Sequence, residues 1–162
     1  MGNKTLVYKQ KLEQSLTDSA KHLKRLDDAF GQLMLQYELP LKSEDYHQVI
    51  ERLDALAYCD QIIYRFSKLQ DTMGAKLFKA LLLYQGENID KPFLDLLNRL
   101  ERMEIINVDE WFEIRDLRNE ISHEYEENER VAVEILNTIY RLKDELKAVL
   151  DRIEKVVKRE NI

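Results

Sequence analysis

Arginine, asparagine, serine, histidine and tyrosine crowd into one stretch of the chain, Glu113-Ile114-Arg115-Asp116-Leu117-Arg118-Asn119-Glu120-Ile121-Ser122-His123-Glu124-Tyr125. On a helix turning about 100° per residue, Ile114, Leu117 and Ile121 form an apolar stripe, and Arg118 and Tyr125 fall within about 40° of Ile114 on it. An arginine so placed is partly buried and needs a partner or a cleft to face. His123 lies about 140° from Arg118 on the same wheel. Two arrangements reconcile them. The helix ends near His123 and turns it back toward Arg118, or two copies of the chain pair so that both residues converge across a dyad. The second gives a composite site of two arginines and two histidines, a set that can cleave RNA without metal. Histidine can take a proton from a ribose 2′-hydroxyl or give one to the leaving oxygen. Arginine stabilises the charge that builds on the phosphorane oxygens. Asn119 can orient the phosphate or the imidazole.

Metal chemistry is the rival reading, because Glu-x-x-His occurs twice, as Glu44/His47 and Glu120/His123. Two such pairs plus a glutamate from each of two further helices make the di-iron pattern of helical bundles. The wheel opposes it: Glu120 and His123 lie about 120–180° from Ile114 on the stripe, whereas bundle ligands project inward. Glu44 and His47 likewise sit off the stripe of Tyr46, Ile50 and Leu53. The single cysteine, Cys59, excludes an internal disulfide and a cysteine-based zinc site, and reads as a small core residue. No metal or cofactor is expected. His22 and His47 read as surface residues.

A formal charge of −6 argues against a protein that coats nucleic acid non-specifically, and no DNA partner is expected. A compact nucleic-acid site remains open, since a few converging arginines can make a positive cleft on an acidic body. The basic runs Lys21-His22-Leu23-Lys24-Arg25 and Lys155-Val156-Val157-Lys158-Arg159 read as solvated helix faces.

The elements that must hold these residues are helices. Only four glycines and two prolines punctuate 162 residues, and 35% of the chain is charged. Strand-and-turn folds need more breaks than that. Leu12, Leu16, Leu23, Leu26, Phe30, Leu33 and Tyr37 mark a first helix over 4–37, with Ser19 a polar gap. A second helical stretch runs over 44–84, with Ser43 as its N-cap and a kink near Gly74. The segment Gln85-Gly86-Glu87-Asn88 is a C-cap and turn. A short helix follows over 91–103, then one over 110–125 capped by Asp109. The last, over 128–159, has an uninterrupted repeat through Ile135, Ile139, Leu142, Leu146, Val149, Ile153 and Val156. The expectation is all-α: an antiparallel up-and-down bundle of four to five helices forming one domain over 1–162. Apolar stripes of this kind serve a core or a dimer seam, and the pattern does not separate the two. The first residues lack a signal-peptide apolar run, and no stretch approaches the ~18 apolar residues of a membrane span. The expected location is the cytoplasm, with no membrane partner.

The run Arg118-Asn119-Glu120-Ile121-Ser122-His123 resembles the Arg-x4–6-His signature of the HEPN family, with a polar residue directly after the arginine. Its extension through Glu124 to Tyr125 resembles the Arg-x4-His-x-Tyr form in the toxins of HEPN–MNT toxin–antitoxin pairs. Tyr64-Arg65-Phe66-Ser67-Lys68-Leu69-Gln70-Asp71 has the look of that group's central helix. The resemblance covers residues 45–150 and implies an α-helical bundle that acts as a metal-independent endoribonuclease, with its site at a homodimer interface. It further implies Arg118 and His123 as catalytic, Asn119 as supporting, and Tyr125 as the residue to which a small nucleotidyltransferase antitoxin attaches AMP. RNA is the substrate implied, with transfer RNA one candidate. HEPN-like bundles also resemble non-catalytic substrate-binding subunits of nucleotidyltransferases, in which Arg118 and His123 would bind nucleotide or partner. A third reading is an interaction protein whose apolar stripes pair with another helical chain.

Overall fold

The computed structural model describes residues 2–126 and 128–160. Four long rods form the bundle: α1 (Gly2–Met34), the pair α3 (Leu53–Thr72) and α4 (Phe78–Tyr84) joined by a π-helical turn at Met73–Leu77, α6 (Val108–Glu124) and α7 (Glu129–Glu160). Two short helices, α2 (Ser43–Val49) and α5 (Phe93–Arg102), complete it, with no strand among the described residues. The all-α bundle expected above is the one observed. No described helix is long and apolar enough to cross a membrane.

The rods run antiparallel, as side-chain pairs show. Gln36 bonds Asp54 and His22 meets Arg65, which reverses α1 against α3. Lys143 reaches Asp27, and Tyr140 stacks edge-on against Phe30, which reverses α7 against α1. Between them lie Leu12, Leu26, Phe30, Phe66, Leu69, Leu81 and Ile139, each essentially inaccessible to water. Ser19, the gap in the α1 stripe, is itself buried.

The expected second helix divides in two. Ile50, Glu51 and Arg52 leave α2 through tight turn hydrogen bonds, and Arg52 is extended before α3 begins. Apolar spacing alone reads Tyr46 to Ala57 as continuous. The two halves serve different neighbours, α2 packing on α7 and α3 chiefly on α1. Ile50 and Leu53 therefore leave the core, and Leu53 is 87% exposed. The helix-start residues also shift. Lys42, not Ser43, precedes α2, its N–H held by the Asp45 carboxylate at 3.0 Å. Asn107, not Asp109, caps α6, its side chain accepting from the Glu110 N–H at 3.0 Å. Asp109 and Glu110 then suit the positive first turn.

Two helix ends use the left-handed region. Gly86 (φ 80°) closes α4 where the turn was expected, with the Glu87 N–H donating to Leu82 and the Gly86 N–H to Leu83. Glu104 (φ 62°) closes α5 with the same bonding, Ile105 to Leu100 and Glu104 to Glu101. A side chain there costs about 1–2 kcal/mol, of which glycine's extra freedom in the unfolded chain returns part. Glu104→Gly is expected to raise stability by about 0.5–1 kcal/mol, read as a higher urea midpoint at unchanged slope.

Candidate functional site

The Asn107 cap fixes where α6 starts, and its core face then fixes where Arg118 points. Trp111, Ile114 and Leu117 are buried. Residues seven apart share a helix face, so Arg118 follows Trp111 along the seam with α3. The inferred need of Arg118 for a partner is met by Asp71, near the end of α3. Nε donates to Asp71 Oδ1 and Nη2 to Oδ2, both at 3.2 Å, while Nη1 donates to Ser122 Oγ at 2.7 Å. A two-bond fork of this kind fixes the guanidinium plane. Asp71 remains about half exposed (48%), so the fork positions Arg118 more than it stabilises the fold.

Arg118 and Asp71 stand in a cleft of about 350 Å³ between α3 and the end of α6. Tyr64, Lys68, Asp60 and Tyr125 also line it. Burial, and then the neighbouring Glu126 carboxylate, raise the Asp60 carboxyl above its ordinary value. Tyr125 is buried, with its hydroxyl enclosed beside Tyr46. Burial first, then Tyr46 and Cys59 beside it, push its pKa up. Cys59 is a core residue as expected, its thiol pushed up to about 12 by burial.

Arg118 and His123 do not come together within one chain. Of the two arrangements, the first is not seen: α6 does end near His123, at Glu124, but His123 is still within the helix and is not turned back toward Arg118. Five residues of helix leave the two side chains about 140° apart. His123 and Asn119 are exposed, and neither side chain makes a hydrogen bond or ion pair among the described residues. Convergence of Arg118 with a histidine therefore requires a second copy. Of the sequence-derived residues, Arg118 and Tyr125 line the cleft, while Asn119 and His123 face solvent beside it.

The paired Glu-x-x-His motifs stay apart. Glu44, His47, Glu120 and His123 are all exposed, and His47 Nδ1 sits 3.1 Å from Glu129 of α7. Among the described residues, no three histidine, cysteine or carboxylate side chains gather as a metal site would require.

Sequence reasoning missed Asp71 and Ser122 as partners of Arg118. Ser122 was within reach of it, since residues four apart on a helix are neighbours. Asp71 gave no local signal, because it lies 47 residues away. No protein-family model matches the chain, nor does any curated protein or solved structure.

Proposed function

We propose that the protein is a metal-independent endoribonuclease of the HEPN type, active as a homodimer and paired with a nucleotidyltransferase antitoxin. What supports the reading most is Arg118, held in a fork by Asp71 and Ser122 at a cleft, within the Arg-x4-His-x-Tyr run. In the composite site His123 of one copy removes the proton of a ribose 2′-hydroxyl. The 2′-oxygen then attacks the adjacent phosphorus, the bond from phosphorus to the 5′-oxygen breaks, and His123 of the second copy protonates that oxygen. Arg118 stabilises the charge on the non-bridging oxygens, and the exposed Asn119 orients the phosphate. The products are a 2′,3′-cyclic phosphate and a 5′-hydroxyl.

The test is cleavage of total RNA and transfer RNA by purified protein in EDTA, with end-group analysis and sedimentation. Cleavage leaving cyclic phosphate, by a dimer at micromolar concentration, is expected. A protein that is only monomeric would sink the composite site. No cleavage, with Tyr125 free of nucleotide by mass, would leave the non-catalytic nucleotide-binding subunit instead. Attachment of AMP to Tyr125 requires its buried hydroxyl to turn outward.

Asp71 is a positioning residue in this scheme. Asp71→Asn keeps the shape but removes the charge and one of the two acceptors. It is expected to lower kcat about 10- to 100-fold with KM unchanged or lower, because misdirected catalytic groups cost rate while a less neutralised Arg118 still attracts phosphate. An unchanged kcat would remove Asp71 from that role.

A further inference from the structure

Beside the Arg118 cleft lies a surface that the catalytic scheme does not use. Where α1 and α3 cross, Arg65 Nη1 sits 2.9 Å from His22 Nδ1. Arginine has only donors, so Nδ1 must accept, which makes His22 the neutral Nε2–H tautomer. Burial first, then the positive charges of Arg65, Lys21 and Lys68, lower the pKa of His22 against an opposing pull from Asp18. Neither Arg65 nor Lys68 makes an ion pair among the described residues, and Arg65 Nε is buried without a hydrogen-bond partner. Both cationic heads instead lie near one aromatic ring. The Arg65 guanidinium stands 5.1 Å and the Lys68 ammonium 5.8 Å from the Tyr64 centroid, and Tyr64 is half exposed. Tyr64 and Lys68 also line the Arg118 cleft, so the surface runs without a break into the site. Tyr64 and Asp71 are two helical turns apart on α3, about 10 Å along its axis.

An exposed aromatic flanked by cations and leading into a cleft is what a single nucleic-acid strand needs: a face for a base and charges for its phosphates. Arg65 and Lys68 supply its cations, and Asp60 lies one turn from Tyr64 on α3, at the end of the cleft away from Asp71 and Arg118. We infer that Tyr64, Arg65 and Lys68 form the approach track for single-stranded RNA, with a base stacked on Tyr64 and phosphates held by Arg65 and Lys68. The inference rests on the ribonuclease reading and names how that site takes its substrate.

The test uses the full chain and a fluorescent single-stranded 2′-O-methyl RNA, which lacks the 2′-hydroxyl nucleophile, read by anisotropy across a salt series. Tyr64→Ala is expected to weaken binding about tenfold or more, the loss of one stacked base. Lys68→Ala should weaken it and flatten the slope of log affinity against log salt by about 0.7, one phosphate contact on a single strand. Lys158→Ala, near the far end of α7, serves as the control and should change nothing beyond about twofold. Circular dichroism confirms that each variant is folded, and the exposed Lys68 carries the test if Tyr64→Ala is not. A parent that binds and cleaves RNA while both variants bind like the parent overturns the track and leaves the ribonuclease reading standing. A parent that neither binds nor cleaves RNA overturns that reading and the track with it. Equal competition by a polyglutamate peptide would assign the face to acidic chains in general and overturn base stacking.

Discussion

Alanine in place of His123 is expected to lower the rate of RNA cleavage by about 10²–10⁴-fold, the range for removing a positioned general acid or base. The same change should leave stability within about 0.5 kcal/mol, since His123 is exposed and its side chain holds no partner among the described residues. That separation makes the variant informative: lost activity cannot be ascribed to a lost fold. Arg118→Ala should also inactivate, but it differs in kind. It strips the Asp71 carboxylate of its fork and frees Ser122, so the seam between α3 and α6 changes along with the chemistry. A His123→Ala protein that cleaves at the parental rate would exclude His123 from proton transfer. A parent that cuts with His123 intact and loses cutting without it would place the histidine at the reacting phosphate.

The contrast between these two positions also shows what the sequence could disclose. Helix class and most helix ends were legible because they are local. Ile135 through Ile153 repeat at helical spacing and are all buried, and Gly86 ends α4 where a left-handed residue is required. The kink expected near Gly74 corresponds to a π-helical turn over Met73–Leu77, a form that apolar spacing does not report. The break before Leu53 was invisible because continuity of apolar spacing does not report that two halves of a pattern face different neighbours. At the site, the wheel placed Arg118 beside the stripe and therefore demanded a partner. It could not supply Asp71, since nothing local links positions on α3 and α6 whose pairing the antiparallel register alone creates. Tyr125 illustrates the limit from the other side: its place beside the stripe was readable, but the enclosure of its hydroxyl beside Tyr46 and Cys59 is a property of packing.

Trp111→Ala is expected to cost about 3–5 kcal/mol, the range for truncating a fully buried aromatic. Trp111 is 1% exposed, its ring centroid stands 4.7 Å from that of Phe78 at 62°, and its Cζ2 lies where a side chain on Gly74 would begin, 3.2 Å from a Cβ built there. Gly74 thus lets the π-helical turn settle against the indole, and alanine at either position disturbs one contact. Removing the indole leaves a cavity bounded by a turn whose backbone is already irregular. For a chain of this size the loss should lower Tm by about 10 °C or more. Trp111→Phe supplies the decisive comparison. The indole N–H is buried without a hydrogen-bond partner among the described residues, so phenylalanine deletes an unsatisfied donor while keeping most of the ring. Its cost should stay below about 2 kcal/mol. The two variants also separate packing from chemistry, because Gly74 follows Asp71 by less than one turn of α3 and Trp111 precedes Arg118 by two turns of α6. If the indole sets the spacing of that seam, Trp111→Ala should lower kcat per folded molecule well below the parent at a temperature where both are native, and Trp111→Phe should not. Parental kcat in folded Trp111→Ala protein would confine the indole to stability and leave the placement of Arg118 to Asp71 and Ser122 alone.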